Sequence, residues 1–205
     1  MNPSRVQQIL GSFDKIRILV LGDFMIDEYR YGRAERLSPE APVPVILETG
    51  VRQLPGGAGN LESLKIKNTA LGVSGQDQEA EVMRGLLSGC EELSLIADKS
   101  RPTTKKMRIV AGTQQICRLD QEDASSVPRE VEDEIISRAD RMIPSCDAVI
   151  ISDYDKGVVT ERVIESCIRS SHEKAFISVD PQVSRFGFYH GVGVLTPNHH
   201  EAGRF

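Results

Sequence analysis

Cysteine is scarce in this chain: Cys90, Cys117, Cys146 and Cys167 are the only four in 205 residues, scattered and without a Cys-x-x-Cys pair. That spacing favours buried free thiols over disulfides or a metal site. Histidine is equally sparse, and its one adjacent pair, His199-His200, has no cysteine near it in sequence, which argues against structural zinc. No apolar run is long enough to span a bilayer, and Met1-Asn2-Pro3-Ser4-Arg5 does not open a signal peptide, so the expected address is cytoplasmic. Positive charge is not in excess either. With 25 Lys and Arg against 30 Asp and Glu, a net charge of -5 makes no electrostatic case for nucleic acid or an anionic membrane as partner.

What is present is 27% charged and 40% hydrophobic residues, enough for one substantial domain with a small appendage. Residues 16–22 form an apolar run ending in Gly22, as a buried parallel strand does. Residues 146–152, 175–179 and 192–196 repeat the pattern, and the four runs are followed by Asp23, Asp153, Asp180 and Asn198. A lone aspartate after a strand is commonly a helix cap. Four polar residues at four strand ends fit better with the ligand-binding edge of an open parallel sheet. Helical stretches at about 79–87, 129–142 and 160–172 separate the strands; in the second, Val131, Ile135, Ile136, Ala139 and Met142 make a core stripe. The alternation predicts a doubly wound α/β fold.

Two regions break it. Residues 42–48, punctuated by Pro42 and Pro44, read as an edge strand. Residues 104–110 and 114–120 read as a β-hairpin, with Thr104, Lys106 and Arg108 on one face of the first arm and Gln114, Ile116, Arg118 and Asp120 on one face of the second. This small β-appendage either closes a polar face over the main sheet or is a solvated hairpin. Between these regions, Pro55-Gly56-Gly57-Ala58-Gly59-Asn60 lets the backbone approach a ligand and turn N–H groups toward it, although many glycine clusters are only turns. It lacks the spacing of a dinucleotide fingerprint and does not directly follow the first strand.

Gly22-Asp23-x-x-x-Asp27, the run from Ser38 to Pro44, Pro55-Gly56-Gly57-Ala58-x-Asn60, Gln114-Gln115-x-x-Arg118-x-Asp120, Ser152-Asp153-Tyr154-x-Lys156-Gly157 and Thr196-Pro197-Asn198-x-x-Glu201 occur in this order. The order resembles the ribokinase-like (PfkB) sugar kinases, and within them is most similar to the kinases of D-glycero-β-D-manno-heptose 7-phosphate. The resemblance runs from about Ile16 to Phe205. It implies the N-terminal part of a ribokinase-like kinase domain over 1–205, a doubly wound sheet with a β-lid at about 29–53 and 103–120, incomplete at the C-terminus.

The implied activity is ATP-dependent phosphorylation of the anomeric hydroxyl to give the 1,7-bisphosphate, a precursor of ADP-heptose and lipopolysaccharide. ATP and Mg²⁺ are the implied cofactors, and a homodimer through the lid is implied as well. Asp27, Gly56, Gly57, Asn60 and Asp153 would contact the sugar, and Lys106, Arg108 and Arg118 would neutralise its phosphate. Asn198 and Lys156 would meet nucleotide phosphate, and Glu201 would hold the metal. Two departures stand out. The segment after Asn60 reaches Thr69 about one helical turn early, and the family's Gly-Ala-Gly-Asp segment with the catalytic base is expected beyond Phe205. The competing expectation is an inactive remnant that binds sugar phosphate or only dimerises.

Overall fold

The computed structural model describes residues 4, 6, 7, 11–60, 68–171 and 174–204. Strands β1 (Ile18–Gly22), β4 (Asn68–Ser74), β5 (Glu92–Ala97), β8 (Ala148–Ser152), β9 (Phe176–Asp180) and β10 (Val194–Leu195) form one sheet in the order β10-β9-β8-β1-β4-β5. Every neighbouring pair in it is parallel. Helices α1 (Gln78–Leu86), α2 (Arg129–Met142) and α3 (Glu161–Ser171) cover its faces, and a short α4 (His199–Ala202) follows β10.

Side chains that alternate along a strand reach two separate cores. Leu19 and Leu21 of β1 join Val149, Ile151 and Val179 beneath Ile135, Ala139, Ile164 and Cys167 of α2 and α3. Val20 points the other way, onto Ala70, Met83 and Leu87 at α1. The expected stripe of α2 is therefore core, and the sheet is doubly wound. On the α1 side, however, nothing among the described residues covers the far strands: Phe176 is 55% exposed and Val194 39%.

A second sheet has the order β3-β2-β6-β7. It consists of β2 (Phe24–Leu37), β3 (Pro44–Gly57), β6 (Lys105–Ala111) and β7 (Gln114–Gln121). The proline-marked segment is its outer strand β3, and β6 and β7 are the expected hairpin. The 14-residue strand β2 runs from the first sheet into the expected lid segment at about 29–53, where the sequence singles out no strand before residue 42. Its Glu28, Arg30, Arg33, Glu35 and Arg36 give no strand signal of their own, because no buried face forces an alternation of apolar residues there. Gly22 is where the chain leaves the first sheet for the second; a Cβ there would lie 2.1 Å from the Ser152 carbonyl oxygen.

Four further expectations need correction or limits. Gly56 and Gly57 are the last residues of β3, paired with Met25 and Phe24, rather than a free turn. A bulge opposite Ile109 and Val110 adds a residue to β7, so Gln115, and not Gln114 or Ile116, shares a face with Arg118 and Asp120. Of the four free cysteines only Cys167 is buried, with its thiol pushed up to about 12 by desolvation, while Cys117 on β7 is exposed. The expected short helix after Asn60 falls on 61–67, outside the described residues.

The two faces of the main sheet predict unequal costs. Ile151→Ala, at a fully buried position, should cost about 2–5 kcal/mol. Phe176→Ala on the uncovered face should stay within about 0.5 kcal/mol. Urea unfolding of the two variants checks this, and equal costs would contradict the description of that face.

Candidate functional site

The C-terminal ends of β1, β8, β9 and β10 lie side by side, with Gly22 in register with Ser152 and Ser152 with Asp180. Asp23, Asp153, Asp180 and Asn198 therefore line one edge, where open parallel sheets bind ligands. Asp23 is 1% exposed, and its carboxylate accepts the N–H groups of Tyr154 at 2.8 Å, Lys156 at 3.1 Å and Val158 at 3.3 Å. The loop closes this tightly because Asp155 and Gly157 take φ of 59° and 82°. At Gly157 a Cβ would meet the Ser125 carbonyl oxygen at 1.9 Å. Burial pushes the Asp23 carboxyl up to about 6, the nearby Asp153 charge adds to this, and the three N–H donors oppose it.

Asp27 lies four residues further along, on β2, and it meets the cations of β6 and β7. In the ladder Asp27 sits beside Lys106 and Tyr29 beside Arg108. Across the hairpin Arg108 faces Arg118 and Lys106 faces Asp120. Paired residues of adjacent strands share a face, so Asp27, Lys106, Arg108, Arg118 and Asp120 form one polar surface. Gly56 borders it: a Cβ there would lie 2.4 Å from Asp27 Oδ2, so glycine is what leaves space for the carboxylate. Gly57, at φ 58°, instead allows close contact with the Asp23 backbone, whose carbonyl accepts the Ala58 N–H at 3.0 Å. Asn60 is exposed beyond them.

The remaining candidates are engaged within the fold. Asp153 is buried: Oδ2 accepts the Tyr189 hydroxyl at 2.7 Å, Oδ1 accepts the Asp155 N–H at 2.9 Å, and Arg185 lies 3.4 Å away. Lys156 Nζ donates to Glu122 at 2.8 Å. Asn198 caps α4 by accepting the N–H groups of His200 and Glu201, and Glu201 returns the bond by accepting the Asn198 N–H at 2.7 Å, a capping box. Glu201 has a second connection. Burial pushes the Asp180 carboxyl up and Glu201, then Asp153, push it further. Burial likewise raises the Tyr154 phenol, followed by Asp180, Asp27 and Glu201. Tyr154 thus stands where the Asp27 surface and the Glu201 end of the edge converge.

Among the described residues no three His, Cys, Asp or Glu side chains form a group that could hold a metal ion. A cavity of about 500 Å³ beside the end of the loop is lined by Arg129, Glu132, Arg162, Arg185 and Phe188, and none of the motif residues borders it. Its arginines are already paired, Arg129 and Arg162 with Asp133 and Arg185 with Asp155.

No family model matches the chain. It is 41% identical over 201 residues to the bifunctional protein HldE of Wolinella succinogenes, covering 95% of the chain and 42% of that protein. It is also 41% identical over 198 residues to the HldE of Methylobacillus flagellatus, covering 92% and 40%. The fold matches Escherichia coli phosphofructokinase-2 with a TM-score of 0.70 at 14% identity, covering 92% of the chain and 62% of that structure. Arabidopsis thaliana ribokinase, solved with ribose and ATP, gives 0.62 at 13% identity with the same coverage. The chain has the fold of the ribokinase-like carbohydrate kinases. It spans about two fifths of the curated relatives it matches.

Within this kinase fold, the sequence places Asp23 and Asp180 on the strand-end edge without a role of their own, and gives Tyr154 none. Asp23 and Asp180 were visible as strand-end aspartates, but nothing in their spacing separates a carboxylate that holds a loop from one that faces a ligand. Tyr154 lies inside a motif and carried no signal of its own.

The Asp23 charge makes a signed pH prediction. Its folded value of about 6 is above the ordinary 3.8, so the stability it contributes is complete below about pH 4 and is lost as pH rises through 6. The shift corresponds to about 3 kcal/mol. Asp23→Asn does not titrate, so relative to the wild type it should gain that much between pH 4 and pH 7 in denaturant unfolding. A difference that is flat, or that runs the other way, would contradict the assignment.

Proposed function

We propose that the chain forms the sugar-binding part of an ATP-dependent kinase that phosphorylates the anomeric hydroxyl of D-glycero-β-D-manno-heptose 7-phosphate. The observation that carries this reading is the surface on the second sheet. A carboxylate given space by Gly56 stands among Lys106, Arg108 and Arg118, a combination suited to a ligand with hydroxyls at one end and phosphate at the other. The resemblance of the run from Ser38 to Pro44 and of Gln114-Gln115-x-x-Arg118-x-Asp120 to the heptose 7-phosphate kinases favours the heptose over other phosphosugars.

Asp27 would accept sugar hydroxyls, with Gly56, Gly57 and Asn60 bordering the ring, and the three cations would balance the 7-phosphate. Asp153, with its oxygens engaged by Tyr189, Arg185 and the Asp155 N–H, is assigned to holding the loop instead of touching sugar. Lys156 and Asn198 would meet phosphate oxygens of ATP at the strand-end edge. Mg²⁺ commonly relies on one or two carboxylates plus substrate phosphates, which suits Glu201 with Asp180 beside it and no preformed cage. When bound, the ion neutralises charge on the transferring phosphoryl group. None of the described side chains is assigned the proton of the attacking hydroxyl.

A second copy would dock on the opposite face of the four-stranded sheet, where Val51 and Leu119 are 48% and 63% exposed around the Glu28–Arg30 pair. A chain acting on ATP and a phosphosugar is placed in the cytoplasm. No described helix is long and apolar enough to cross a membrane.

Phosphorus NMR of the protein with ATP, Mg²⁺ and the heptose 7-phosphate tests the reading. A 1,7-bisphosphate signal is expected, with Asp27→Asn lowering its rate at least about tenfold through the lost charged acceptor. Binding without product would favour an inactive sugar-phosphate binder, and absence of binding would overturn both.

A further inference from the structure

The Asp27 surface is not open as it stands. Arg108 Nη1 donates to Asp27 Oδ1, and both side chains are only about one fifth exposed, at 19% and 20%. The Arg108 guanidinium also lies over the Tyr29 ring, 5.1 Å from its centroid, and Tyr29 stacks on Tyr31 at 6.2 Å. Burial disfavours the Arg108 cation, yet Asp27 outweighs this and holds its pKa above the ordinary value. Across the ladder Arg118 is locked on its own strand by a two-pronged pair with Asp120, at 2.8 and 2.9 Å. Lys106 has no ion-pair partner among the described residues.

We propose that Arg108 is an internal competitor for Asp27, so that the site admits a sugar only when the ligand brings an anion to receive the displaced guanidinium. A neutral sugar offers hydroxyls to Asp27 but leaves a partly buried cation without its carboxylate, and that loss opposes binding. A phosphosugar compensates both groups, because its hydroxyls take Asp27 while its phosphate takes Arg108. Tyr29 serves as a platform under the guanidinium in either position, and Lys106 attracts the anion beforehand. Discrimination against unphosphorylated sugars then comes from an unfavourable element built into the empty site as well as from contacts to phosphate.

This inference rests on the phosphosugar reading, and calorimetric titration of the whole chain separates the two. Wild type should bind heptose 7-phosphate and bind unphosphorylated heptose poorly. Arg108→Gln should weaken the phosphosugar by roughly tenfold or more while tightening the neutral heptose, opposite signs from one substitution. A measurement without any variant asks the same question. Inorganic phosphate should tighten neutral heptose binding to the wild type, whereas chloride at equal ionic strength should not, because phosphate draws Arg108 from Asp27. Loss of both sugars to the same degree in the variant, or phosphate that leaves neutral heptose binding unchanged or competes with it, overturns the competitor role and leaves the phosphosugar reading standing. Failure of the wild type to bind the phosphosugar at all overturns the reading itself, and the inference with it.

Discussion

Between the last residue of β1 and the first of β2 stands one residue, Asp23, and almost every part of the candidate site is attached to it. Its side chain gathers the N–H groups of Tyr154, Lys156 and Val158 from the loop after β8. Its backbone N–H donates to Ser152, and its carbonyl accepts from Ala58 at the end of β3. The parallel sheet, the second sheet and the Lys156 loop are thereby joined at one buried carboxylate. Its placement is costly, as the elevated proton affinity shows, and three N–H donors aimed at it make the charged form tolerable. Gly22 and Gly157 permit the arrangement, since at both positions a Cβ would collide with backbone carbonyl oxygen.

From that junction the charges divide into two populations. Near the loop, Asp153, Arg185 and Tyr189 satisfy one another in a buried network, and removing one member would leave an uncompensated polar group. On the second sheet, Asp27, Arg108, Arg118 and Asp120 are paired as well, but at a partly exposed surface where partners can be exchanged. The first arrangement suits a scaffold and the second a site that trades internal for external partners. Tyr154 lies between them, within electrostatic reach of Asp27, Asp180 and Glu201.

Four strands of the parallel sheet were legible because they are apolar runs ending at Gly22, Ser152 or just before a polar residue, and helix α2 was legible from Val131, Ile135 and Ala139; β4 and β5, the other two strands of that sheet, were not singled out. The second sheet was only half legible. Its hairpin and proline-marked strand carry local signals, whereas β2 is polar on both faces beyond Tyr31 and is held by its neighbours rather than by a core. The bulge in β7 could not be read from alternation, which assumes that no residue is inserted. For the site, the family resemblance, together with strand alternation in the hairpin, brought out Asp27, Lys106, Arg108 and Arg118, which the fold places on one surface. It could not show that Asp153 is turned into the fold or that Asn198 and Glu201 also cap a helix, because those roles depend on partners distant in sequence or on backbone geometry.

The central claim is that the ligand binds on the face of the second sheet that carries Asp27. Amide chemical-shift mapping by ¹H–¹⁵N NMR during titration with heptose 7-phosphate tests it most directly. The account predicts perturbations concentrated at Asp27, Tyr29, Gly56, Lys106, Arg108 and Arg118. Shifts centred instead on Arg129, Arg162 and Arg185 around the 500 Å³ cavity, with the second sheet unmoved, would contradict it.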